Sequence, residues 1–78
     1  MKVIFSEHAR KQNLRRKIPT RSIIETVKNP EDVIDSFRNR KLRRKKFGDK
    51  ILEVATITEE DTLTVITQYW LKQEGENL

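Results

Sequence analysis

No cysteine occurs in the 78-residue chain. That excludes a disulfide framework, a thiolate nucleophile and Cys-ligated zinc. The single histidine, His8, cannot build a histidine metal cage alone. Two glycines, neither in a phosphate-cradling pattern, exclude the glycine-loop nucleotide sites. Apolar runs reach only three residues, as in Val3-Ile4-Phe5, too short for a membrane span or a secretory signal. A cytoplasmic setting with no membrane partner is the expectation. Aromatics are also scarce, at five residues, so at least one of Tyr69 and Trp70 is expected in the core.

What the chain does have is charge. Charged residues make up 37%, and 17 Lys/Arg against 12 Asp/Glu give a net +5. The distribution is uneven: residues 1–48 hold 15 of the bases and 5 of the acids, a local +10, and residues 49–78 hold the remaining 2 and 7, a local −5. An anionic partner is therefore expected for the front half. Apolar residues are 35% of the chain, about 27 positions, enough for one small core and not two. One domain is expected over residues 1–72, with 73–78 as a frayed tail.

Local signals give the elements. Ser6 offers an N-cap oxygen and Glu7 an anion for the first turn, so a charged helix is expected over 7–16. Ile18-Pro19 breaks it, and Thr20 is the next cap candidate. Ile23, Ile24 and Val27 form an amphipathic stripe that stops at Asn29-Pro30. Alternation begins at Val33. Arg40–Phe47 ends at the Gly48-Asp49 turn signal, Lys50–Ile57 follows, and Leu63–Leu71 is rich in Thr, Val, Ile, Tyr and Trp. The expected fold is α+β: two N-terminal helices packed on one face of a three- to four-stranded antiparallel sheet.

The densest feature is Arg38, Arg40, Lys41, Arg43, Arg44, Lys45 and Lys46, seven bases within nine residues. On a strand, Arg40, Leu42, Arg44 and Lys46 share one face, and Lys41, Arg43, Lys45 and Phe47 the other. Cations on both sides suit an edge strand, where they block sheet-to-sheet association. They also suit a phosphate-binding strip, because Arg offers bidentate geometry to phosphate. His8 is the side chain whose ordinary pKa lies nearest neutrality, so it is the candidate general base, against the plainer role of capping or packing. Thr67 and Tyr69 share a face of the last strand; Trp70 points away from it. The acids show no metal-binding spacing, so no metal and no cofactor are expected.

Taken in order, His8-Ala9-Arg10, Arg16-Lys17-Ile18, Val27-Lys28-Asn29-Pro30-Glu31-Asp32-Val33 and Val65-Ile66-Thr67-Gln68-Tyr69 resemble a family of small prokaryotic proteins catalogued as a domain of unknown function. Its pattern runs His-Ala, an Arg-Gly-Ile breaker, a helix closing on Asn-Pro-Glu, and an Ile-Thr-x-Tyr-like end. Here Lys17 and Pro19 replace the usual Gly and Ser, and Gln12 stands where many relatives carry Arg. The family looks like a distant member of the RelE/ParE/BrnT group of toxins, which implies a RelE/ParE-like fold.

The resemblance also implies a metal-independent ribonuclease or another growth-inhibiting toxin, paired with an antitoxin protein. In that reading His8 is base or acid. Arg16 with Arg43 or Arg44 stabilises charge on the phosphorane, and Tyr69 donates a proton or stacks on a base. Arg38, Arg40, Lys41, Lys45 and Lys46 bind the nucleic acid, with RNA or ribosome-bound mRNA as partner. The alternatives are a non-catalytic nucleic-acid-binding module and a module that docks an acidic protein segment. The acidic rear offers a further use for the basic front, within one molecule or across a homodimer.

Overall fold

The computed structural model describes residues 1–71; the tail expected at 73–78 lies outside them. Seven elements follow one another: β1 (Lys2–Phe5), α1 (Glu7–Arg16), α2 (Thr20–Lys28), β2 (Asp32–Asp35), β3 (Arg40–Phe47), β4 (Lys50–Glu59) and β5 (Thr62–Leu71). The strands form one sheet in the order β1-β5-β4-β3-β2.

The helix ends are set by identifiable groups. The Ala9 N–H donates to Ser6 Oγ at 3.0 Å, satisfying one of the free amides of the first turn of α1. At the other end Lys17 adopts a left-handed conformation, φ 53° and ψ 40°, and its N–H donates to the Asn13 carbonyl. Asn13 then brackets Ile18: its Oδ1 accepts from the Ile18 N–H at 3.0 Å and its Nδ2 donates to the Ile18 carbonyl at 2.9 Å. This locks the chain as it turns into α2. Pro19 occupies the N-cap of α2 and Thr20 is the first helical residue, so no side chain caps that end. The Pro19 carbonyl instead accepts from the Ser22 and Ile23 N–H groups.

One face of the sheet carries the core. Ala9, Ile18, Ile23 and Val27 from the helical half pack with Leu52, Val54, Leu63 and Val65 from β4 and β5. Val3, Phe5, Phe47 and Trp70 pack against this cluster, and the Phe47 and Trp70 rings meet edge to face at 6.1 Å. A bulge makes this possible. β5 slips relative to β4 between Ala55 and Thr56, so Ala55 pairs Thr67 while Thr56 pairs Val65. Ile66 is the extra residue. Leu63 and Val65 face the helices before the slip, and Gln68 and Trp70 after it, leaving Thr67 and Tyr69 for the opposite face.

Three expectations are corrected. The sheet has five strands rather than three or four, and it is mixed rather than antiparallel, because β1 runs parallel to β5 with Val3 beside Leu63 and Phe5 beside Val65. This strand lies sixty residues from its partner, so no local turn signal announces the pairing. At the other edge β2, where the alternation from Val33 begins, is exposed at every residue, so neither of its faces is an inward side. Third, the basic strand is interior: β3 is paired by β2 on one side and by β4 on the other. The two short strands β1 and β2 take the edges instead. The RelE/ParE-like, three- to four-stranded arrangement is not the one this chain adopts.

Candidate functional site

Period two sorts the basic run of β3 onto two surfaces. Lys41, Arg43 and Lys45 lie on the helix side, in register with Thr56, Val54 and Leu52. There they act structurally. Arg43 Nη1 donates to the Val27 carbonyl at 3.4 Å and its Nε to Thr56 Oγ1 at 3.2 Å. Lys45 Nζ donates to the Asn29 carbonyl at 3.0 Å and lies 3.8 Å from Glu25. These cations satisfy carbonyls at the C-terminal end of α2, where the helix dipole favours positive charge. Lys41 pairs with Asp35 on the neighbouring edge strand, holding that carboxyl below its ordinary pKa through a hydrogen bond and then the lysine's charge.

Arg40, Arg44 and Lys46 lie on the opposite face, in register with Ile57, Glu53 and Ile51, which no helix among the described residues covers. Here Arg44, Glu53 and Tyr69 stand side by side on β3, β4 and β5. Glu53 is only 3% exposed although charged. Arg44 Nη2 lies 3.4 Å from Glu53 Oε1, and Arg44 Nε is buried with no hydrogen-bond partner among the described residues. Burial raises the Tyr69 phenol above its ordinary pKa, and the charge of Glu53 and a hydrogen bond to it raise it further; Arg44 and Arg16 pull the other way. At neutral pH Tyr69 is therefore a proton donor.

Arg16 reaches this cluster from α1. Its guanidinium lies over the Tyr69 ring, 5.8 Å from the centroid. Nη1 donates to the Gln68 carbonyl at 2.7 Å and to Gln12 Oε1 at 3.0 Å, with Thr67 Oγ1 at 3.4 Å. The reason is an unpaired stretch of strand. β1 pairs β5 only over 62–65, so the outer edge of β5 beyond Val65 needs other partners. α1 supplies them: the Ser6 N–H bonds the Val65 carbonyl, Ser6 Oγ the Ile66 carbonyl, and Arg16 the Gln68 carbonyl. Gln68 Nε2 returns a bond to the Ala9 carbonyl at 3.0 Å.

Of the residues proposed for catalysis, Arg44 and Tyr69 thus flank one carboxylate, and Arg16 lies over the Tyr69 ring. Arg43 is turned to the helix side. His8 is exposed and forms no side-chain hydrogen bond among the described residues. It does not face the basic strand, because α1 lies along β5 while α2 takes the β3 and β4 side. It shares a ridge of α1 with Gln12 and Arg16, at i, i+4 and i+8. Among the nucleic-acid candidates, Arg40 and Lys46 lie on the uncovered face, Lys41 and Lys45 on the helix side, and Arg38 in the exposed β2–β3 turn. Sequence reasoning passed over Glu53, and it noted Gln12 and Thr67 without giving either a role at the site. Glu53 had a signal: it is a lone carboxylate inside the apolar run Ile51-Leu52-Glu53-Val54-Ala55. Trp70 belongs to the core rim.

Among the described residues no three His, Cys, Asp or Glu side chains gather closely enough to hold a metal ion, and no helix is long and apolar enough to cross a membrane. No curated protein and no solved structure matches the chain. A family profile does match, over residues 5–70, which takes in both helices, the bulge and every residue of the Arg16–Tyr69–Glu53–Arg44 cluster. The chain belongs to the family described as Domain of unknown function (DUF4258).

Proposed function

We propose that the protein is the toxin of a type II toxin–antitoxin pair and that it cleaves RNA, without a metal ion, on the uncovered face of its sheet. The observation that carries this reading is the convergence of Arg16 and Arg44 on Tyr69 above the buried Glu53. The toxin assignment itself follows the resemblance of the His8-Ala9, Arg16-Lys17-Ile18 and Ile66-Thr67-Gln68-Tyr69 motifs to the RelE/ParE/BrnT group.

Cleavage of this kind joins the ribose 2′-oxygen to the adjacent phosphorus and breaks the bond to the 5′-oxygen, leaving a cyclic phosphate. Arg16 and Arg44 supply charge-assisted hydrogen bonds to the phosphoryl oxygens as negative charge accumulates on them. Glu53 holds Arg44 and Tyr69 in place from below. Tyr69, kept protonated, donates its proton to the departing 5′-oxygen. His8 accepts the proton of the 2′-hydroxyl. Helical side chains tilt toward the N-terminus, and the Arg16–Gln12 bond places the guanidinium about one turn back along α1. That leaves it roughly 5.4 Å along the axis from the level of His8.

A second reading is a non-catalytic RNA-binding module. It is favoured by the lack of any group that orients His8. One experiment separates the two. Purified protein is incubated in EDTA with free RNA and with ribosome-bound message, and wild type is compared with His8→Ala, Arg16→Ala and Tyr69→Phe. The toxin reading expects cleavage by wild type, cut by about 10²-fold or more in each variant. RNA binding without cleavage, unchanged in His8→Ala, leaves the binding module. Absence of both overturns the RNA assignment. Growth arrest on induced expression, relieved by the product of an adjoining gene, tests the toxin–antitoxin half.

A further inference from the structure

We infer that the tip of the β2–β3 hairpin, Phe37 with Arg38, is a stacking platform for one unpaired base of the RNA. It makes the substrate single-stranded on the β3 side of the cleaved phosphate. This rests on the RNA reading of the uncovered face.

Four of the five aromatic rings have a place already. Phe5, Phe47 and Trp70 pack on the core, and Tyr69 lies in the cluster. Phe37 alone is out in solvent, at 70% exposure. It is held there by a defined turn: the Arg40 N–H donates to the Phe37 carbonyl at 3.2 Å and the Ser36 N–H to the Arg40 carbonyl at 2.8 Å. The two residues between Phe37 and Arg40 both have positive φ, +60° at Arg38 and +62° at Asn39, as in a type I′ turn. Asn tolerates that region; a long L side chain such as Arg rarely adopts it. The conformation brings the Arg38 guanidinium over the Phe37 ring, 5.9 Å from the centroid, within cation–π range. The ring is backed by a cation and the residue remains 70% exposed.

The tip also continues the arginine track. Arg44 and Arg40 point to the uncovered face from the same strand, roughly 13 Å apart at 3.3 Å per residue, and the turn follows directly. A chain whose phosphates lie along Arg44 and Arg40 runs out at Phe37. The partner best matched to an exposed ring beside guanidinium groups is an unstacked base, which has a π-face for the ring and a phosphate for the arginines. A duplex keeps its bases stacked inside and offers the ring no partner.

The test uses the full chain, a fluorescent single-stranded RNA of mixed sequence, and an RNA duplex of the same length. Phe37→Ala is expected to bind the single strand about tenfold more weakly than wild type, to bind the duplex as wild type does, and to melt at the wild-type temperature. Phe37→Trp is expected to restore affinity for the single strand. In cleavage assays Phe37→Ala raises the half-saturating RNA concentration and leaves the rate at saturation unchanged. Equal affinities of wild type and Phe37→Ala for the single strand overturn this inference while leaving the cleavage site intact, as does an equal loss on the duplex. A dimer that dissociates in Phe37→Ala with RNA affinity unchanged also overturns it, by assigning the ring to a second copy of the chain. Wild type that binds no RNA overturns both this inference and the function it rests on.

Discussion

Replacing Glu53 with Gln tests the centre of the site in one step. The side chain keeps its shape and loses its charge. In the wild-type chain that charge, on a residue only 3% exposed, faces Arg44 at 3.4 Å and the Tyr69 phenol. A hydrogen bond to a charged group contributes roughly 1.5–3 kcal/mol. The Arg44 side chain is 35% exposed, so water recovers part of its loss, and a destabilisation of about 2 kcal/mol is expected. For a domain of this size that lowers the melting temperature by roughly 8–16 °C.

Tyr69 gives a second readout. It is the chain's one tyrosine, so phenolate absorbance reports on it alone. Burial and Glu53 raise its pKa in the folded state. The folded chain therefore holds the phenolic proton more tightly than the unfolded chain does. The associated stability is fully present below about pH 10, the unfolded value, and is lost as pH rises through the folded pKa. In Glu53→Gln the titration moves down from its wild-type position while burial still holds it up, since Arg44 and Arg16 then act without an opposing carboxylate. An unchanged phenol titration together with unchanged melting would refute the account of Glu53 as the anchor of the cluster.

Other substitutions test neighbouring parts of the argument. Lys17→Gly removes a left-handed conformation from an L residue at the end of α1, partly offset by the flexibility glycine adds to the unfolded chain; a gain of about 0.5–1 kcal/mol by chemical denaturation is expected. Leu52→Ala empties a fully buried core position and costs about 2–5 kcal/mol by the same measurement. Arg43→Ala releases the Val27 carbonyl and costs about 1 kcal/mol of stability with RNA cleavage intact. Arg44→Ala, one residue on, lowers cleavage by about 10² or more.

The helices were legible because their signals are local. Ser6, Ile18-Pro19 and Asn29-Pro30 each act within a few residues of themselves, and the helices run close to where those residues predict. The sheet was not, because what decides it is long-range or concealed. β1 pairs across the length of the chain, and β2 buries neither face. The bulge at Ile66 reverses which residues of β5 face the core, and a single extra residue in an apolar run has no signature in composition. The site was half legible. Arg16, Arg44 and Tyr69 are chemically apt types at positions the family motifs or the basic run pick out. Glu53 was hidden because a single acid in a strand reads as a solvent-facing residue until its partners on β3 and β5 are in place. Arg43 was misplaced because seven cations within nine residues look alike until helix α2 is laid over one side of the strand.

That division changes what the charge of the chain means. A front of +10 and a rear of −5 suggest two separated ends, yet β3 and β4 are adjacent strands, and Glu53 of the rear sits against Arg44 of the front. If all seven bases of the run and Arg16 met phosphate, the logarithm of the binding constant for a single strand would fall with the logarithm of salt at a slope of about −6, at roughly 0.7 per contact. The structure leaves Arg16, Arg40, Arg44 and Lys46 on the uncovered face and commits Lys41, Arg43 and Lys45 to Asp35, the end of α2 and Glu25. With Arg38, exposed in the β2–β3 turn, five contacts give a slope of about −3.5. Titrating RNA affinity against salt distinguishes the two, and a slope near −6 would show that the helix-side cations leave their partners to reach the RNA, against the alternation on which the site is built.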